Sequence, residues 1–182
     1  MTVNFLSDTA EILKRSLLFF LLMILFPAGA FAEGGLPLKL IVYAKPVYVV
    51  EKEMPVQVKL INESVKILQI NKRFLLNDRK FFYELALEIK DPNGNIVPLE
   101  AKPQFVLPGP DDYVNLKSGQ SVTMRINLGD YFIIVEPGEY KLRAYYRNFL
   151  SPPPGAAWVG TIDSEEKTFS VVESKNPGEE EH

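Results

Sequence analysis

The stretch that decides the fold is "EPGEYKLRAYYRN", residues 136–148. Pro137 and Gly138 make a turn, and an unbroken period of two follows. Tyr140, Leu142, Ala144 and Tyr146 fall on one side, and Lys141, Arg143, Tyr145 and Arg147 on the other. Side chains alternate across a strand, so this predicts a strand with an apolar inner face and a basic outer one.

The same period recurs on both sides of it. "LKLIVYA" (38–44) opens the run, and Pro46 behind it suits an edge or a bend, because proline cannot donate to a ladder. "PVQVKLIN" (55–62) puts Val56, Val58, Leu60 and Asn62 on one face and Gln57, Lys59 and Ile61 on the other; "VKILQI" (65–70) gives a third strand. "NKRFLLNDRK" (71–80) has no clean period and reads as a connection that tucks in Phe74 and Leu76. In "FFYELALEIKDPNGNIVPLE" (81–100), Phe81, Tyr83, Leu85, Leu87 and Ile89 form an apolar face. Phe82, Glu84, Ala86, Glu88 and Lys90 form a polar one, and Asp91 to Gly94 turn the chain back into "NIVPL".

After a Pro- and Gly-rich loop at 103–112, "YVNLKSGQSVTMRINL" predicts a short strand, a turn at Ser118 and Gly119, and a strand with Val122, Met124, Ile126 and Leu128 inward. "GDYFIIV" fits either a helical turn or a short strand. The last strand covers 168–172, with its inward face open. Seven to nine short strands, frequent turns and no helix long enough for a crossover predict an all-β antiparallel sandwich. Its expected core is Val56, Val58, Leu60, Leu85, Leu87, Ile89, Val122, Met124, Ile126, Tyr140, Leu142 and Ala144.

Residues 1–32 read as an export signal: Lys14 and Arg15, an apolar run from Leu17 to Phe26, then Ala30-Phe31-Ala32 as a cleavage site. An uncleaved anchor is the alternative, and the only membrane contact expected. The domain is placed at 33–173 and an acidic, solvated tail at 174–182. A net charge of -3 without a dense Lys/Arg cluster argues against a nucleic-acid partner. Zero cysteines leave an apolar core, at 47% hydrophobic residues, to stabilise an exported domain.

A PGxY turn before a late strand resembles the corner of immunoglobulin-like sandwiches, where a tyrosine hydroxyl ties back to the backbone. Tyr140 takes that place, and Leu142 stands where antibody domains have a cysteine. The wider segment "DDYVNLKSGQSVTMRINLGDYFIIVEPGEYKLRAYYRN", with "VQVKLINES" before it, resembles the immunoglobulin-like region that precedes the catalytic domain of deuterolysin-type and peptidyl-Lys metalloendopeptidases. The likeness runs loosely over 55–147 and implies a fold, not an activity. Those proteases need HExxH, and the one histidine here is His182.

A Ser-His-Asp or Cys-His arrangement fails for the same lack of histidine and cysteine, and the scattered glycines form no phosphate loop. Asp111 with Asp112, or Glu84 with Glu88, are paired carboxylates that acid–base work or calcium needs; solvation and turn formation account for them more simply. No catalytic residue, metal or cofactor is expected. Candidate partner-binding residues are Arg143, Tyr145 and Arg147 of the basic face, against which stands pairing with Glu84, Glu88 or Glu100. The loop holding Pro152, Pro153, Pro154 and Trp158 is the other candidate, against which stands a purely structural role as core cover. The expectation is an exported, non-catalytic binding module that holds a protein or glycan of the cell envelope. A proteinase inhibitor is the alternative.

Overall fold

A computed structural model of the protein describes residues 36–80, 84–100, 106–149 and 157–174. The expected signal segment, Phe81 to Tyr83, Pro152 to Pro154 and nearly all of the acidic tail lie outside the described residues.

The fold is an all-β sandwich. Its strands are β1 (Leu38–Tyr43), β2 (Val47–Val49), β3 (Pro55–Asn62), β4 (Leu68–Asn71), β5 (Leu85–Lys90), β6 (Tyr113–Leu116), β7 (Ser121–Asn127), β8 (Gly138–Asn148), β9 (Gly160–Asp163) and β10 (Lys167–Val172). One sheet runs β1-β3-β7; the other runs β2-β10-β8-β5, with β9 also on β8; β4 and β6 form a separate ribbon. Among the described residues every strand pair is antiparallel except β2 with β10. β1 ends at Tyr43, and Pro46 lies in the short link that passes to the other sheet: its carbonyl accepts from Ser170 N at 2.8 Å, and the next three residues pair with β10.

The two inner faces meet as the alternation predicts. Val56, Val58 and Leu60 of β3 and Leu85, Leu87 and Ile89 of β5 are buried, as are Tyr140, Leu142, Ala144 and Tyr146 of β8. On β7, Ile126 is buried in the core as expected, while Val122 and Met124 are only half-buried against it. On β10, Phe169 and Val171 face inward. "GDYFIIV" resolves into a 3-10 turn at Leu128–Asp130, followed by a bridge from Phe132 to Leu99.

Tyr140 closes the corner, its hydroxyl donating to the carbonyl of Glu136 at 2.8 Å. Its ring stacks on Phe169 with centroids 5.5 Å apart, and Tyr48 meets the same Phe169 edge-on at 5.4 Å. Phe74 does tuck inward, at φ 53°, against the ring of Tyr146.

The polar face expected on β5 is not exposed. Glu84, Ala86 and Glu88 do not look into solvent, for all three are buried, and β5 is covered on both sides. The cover comes from the connection at 71–80, whose Arg73 and Arg79 bond the two carboxylates.

Candidate functional site

Along the outer face of β8, Lys141 pairs with Glu166 at 3.6 Å and Arg143 with Asp163 at 3.5 Å. The partners are thus carboxylates of β9 and the turn after it, not Glu84, Glu88 or Glu100. Glu88 stands opposite Arg143 in register but bonds Arg79 instead. The guanidinium of Arg79 also lies 4.4 Å above the Tyr145 ring, which is buried rather than presented to a partner. Arg147 stays exposed, 5.8 Å from the ring of Phe149. The expected basic face is therefore divided between ion pairs and a covered ring.

Trp158 stacks on Tyr146 at 6.0 Å and packs on the core. Its backbone N–H donates to the carbonyl of Gln69 at 2.8 Å, and its carbonyl accepts from the Asn148 side chain at 2.6 Å. Gly160 matters here because a Cβ in its place would stand 2.6 Å from the indole ring. Trp158 covers one end of the core, which is the structural role weighed against partner binding.

The paired carboxylates also have assigned work. Glu84 accepts from Asn71 Nδ2 at 3.0 Å, Leu75 N at 2.8 Å, Arg73 Nε at 2.8 Å and Arg73 Nη2. Arg73 reaches on to the carbonyl of Val106 at 2.7 Å and to Asp112 at 3.5 Å, while the Tyr146 hydroxyl donates to the Asn71 carbonyl at 2.7 Å. Burial, then the charge of Glu84, pushes the Tyr146 phenol far above its ordinary value. Asp112 also accepts from Gly109 N at 2.7 Å in a 3-10 turn. This polar cluster fixes two connections, 71–77 and 106–112, against the sandwich. Among the described residues no group of three or more His, Asp or Glu is placed to hold a metal ion.

A concave surface lies at the open edge of β5. After the Asp91 turn the chain pairs only briefly with β5, through Val97 N to Ile89 O at 2.9 Å, and then crosses to Phe132. Between this crossing and the connection at 78–80 lies a groove of about 540 Å³. Its walls are apolar, from Leu87, Ile96, Val97, Pro98, Leu99 and Phe132, and its polar rim is Asp78, Arg79, Lys80 and Glu88. That size, with apolar walls and few polar groups, is the form of a small-ligand or side-chain receptor site. Ile96 is 63% exposed at its lip. Nothing in the sequence marks this groove beyond the weak strand character of "NIVPL" (95–99).

No protein-family model matches the chain, and no curated protein sequence matches it. Among solved structures, a β-glucosidase from Listeria innocua aligns with a TM-score of 0.36 at 12% identity, over 75% of this chain and 16% of that one.

Proposed function

We propose that this chain is an exported, non-catalytic binding or accessory domain of the cell envelope that holds a protein or glycan. The observation that carries the reading is the groove at the β5 edge, which offers apolar walls, an exposed Ile96 and a charged rim without being filled by the described residues. A partner would seat an apolar group against Ile96 and Leu99 and set polar groups against Arg79, Lys80 and Glu88. Export rests on the apolar run and small residues of 1–32.

The test is capture from envelope extract with the full chain as bait, beside Ile96→Arg. Ile96 is 63% exposed at the lip of the groove and is not part of the core, so the substitution places charge at the groove with little effect on packing. A partner held by the parent and lost by the variant supports the reading. Inhibition of a panel of proteases, unchanged by Ile96→Arg, would replace it with the inhibitor alternative.

A further inference from the structure

The outside of the sheet β1-β3-β7 carries a second surface, which shares no residue with the groove. Register aligns three rows across it: Lys39, Ile61 and Ser121; Ile41, Lys59 and Thr123; Tyr43, Gln57 and Arg125. The alternate residues of all three strands face the core, so these nine side chains face away from it. Lys39, Lys59 and Arg125 lie on one diagonal, with diagonal neighbours roughly 7–8 Å apart. No carboxylate stands within these rows. Glu63 at the margin pairs with Lys39 at 3.5 Å, and both partners are about half exposed. Among the described residues no carboxylate forms an ion pair with Lys59, Arg125 or the neighbouring Lys45.

The third row ends in a shallow depression of about 530 Å³ lined by Tyr43, Lys45, Gln57 and Arg125, among others. Tyr43 is 47% exposed there. The whole chain is net negative at -3, so this concentration of cations is local and not a property of the molecule at large.

We propose that this face binds a carboxylated polysaccharide. A guanidinium forks onto a carboxylate in two parallel bonds, and Arg125 with Lys45 supplies that contact at the depression. The Tyr43 ring gives an apolar surface for a sugar ring, while Gln57 and Thr123 offer hydrogen bonds to hydroxyls. Lys59 and Lys39 continue the cation line to further carboxylates. A protein partner fits less well, because a protein interface has a dry core of large apolar anchors, and here only Tyr43 is both large and exposed.

The experiment titrates the full chain with polygalacturonate at low salt by calorimetry, beside neutral dextran, poly-glutamate and vesicles of anionic phospholipid. The expected result is binding to polygalacturonate alone, weakened by salt. Lys59→Glu with Arg125→Glu lowers affinity roughly tenfold or more. Arg143→Ser with Arg147→Ser, on the opposite sheet, leaves it unchanged, and so does Ile96→Arg. Tyr43→Ala weakens binding without changing its salt dependence, which a purely electrostatic attraction would not show. Circular dichroism and melting of each variant confirm that the fold is kept. The proposal is overturned by no binding, by equal loss in the Arg143 and Arg147 variant, by poly-glutamate binding as tightly, which assigns an acidic peptide, or by preference for the vesicles, which assigns a membrane surface. Loss of polygalacturonate binding through Ile96→Arg would also overturn it, by moving the polysaccharide to the groove; the other outcomes leave the groove's own test, capture from envelope extract, untouched.

Discussion

Replacing Arg73 by Met leaves the Glu84 carboxylate buried without its cation. The Glu84 side chain is 2% exposed and that of Arg73 16%, so water screens the pair little, and methionine keeps most of the stem's packing. What disappears is two charge-assisted bonds to Glu84, bonds to the Val106 and Leu107 carbonyls and the ion pair with Asp112. Asn71 and Leu75 still donate to Glu84, which limits the damage. Breaking a buried pair from one side costs about 3–5 kcal/mol, and the remaining donors place this case at about 3 kcal/mol. For a chain of this size that lowers the melting temperature by roughly 10 °C. Urea unfolding should show the loss as a lower midpoint with an unchanged slope. Adding Glu84→Gln removes the stranded charge, so the double variant should recover about 1–2 kcal/mol relative to Arg73→Met. A loss under about 1 kcal/mol in the single variant, or simple addition in the double one, would refute the claim that this pair is buried and coupled.

Other outcomes follow from the same contacts. Tyr140→Phe removes the corner bond to Glu136 and should cost about 0.5–1.5 kcal/mol in the same urea assay. Trp158→Ala should cost about 2–4 kcal/mol, and Gly160→Ala about 1–3 kcal/mol because its new methyl meets the indole ring; both are read from melting curves. Burial raises the phenols of Tyr48, Tyr113, Tyr140 and Tyr146 above their ordinary value, with nearby carboxylate charge adding at the last three. The unfolded chain therefore releases these protons first, from about pH 10, so stability is complete below that pH and falls as it is exceeded. Urea midpoints that stay level well above about pH 10 would contradict this.

Long alternating strands were legible because each buries one face whatever its neighbours do. β3 and β8 followed from their period alone, and Tyr140 from the turn before it. β2 and β9, at three and four residues, carry too few alternations to show a period, and they exist because β10 and β8 offer them a partner. The burial of Glu84 and Glu88 was hidden for a different reason. A glutamate at an outward position reads as solvent-exposed, and only the cations of the connection before β5, Arg73 and Arg79, turn those positions inward. The Arg79 cover likewise took Tyr145 out of the expected basic face. The groove depends on where residues 96–99 go after leaving β5, a tertiary path with no local pattern. On the β1-β3-β7 face, Lys59 and Arg125 were legible as outward within their own strands, while the opening strand 38–44 was read without faces, so Lys39 was not. The alignment of the three was not legible either, because it needs the strand order and the register.

The most direct test of the binding account is photo-cross-linking in living cells, with a photoreactive residue in place of Ile96 and, as a control, in place of Val65, which is 92% exposed and outside the groove. The account predicts a cross-linked envelope partner from position 96 and none from position 65. No adduct from position 96, or the same adducts from both, would contradict it.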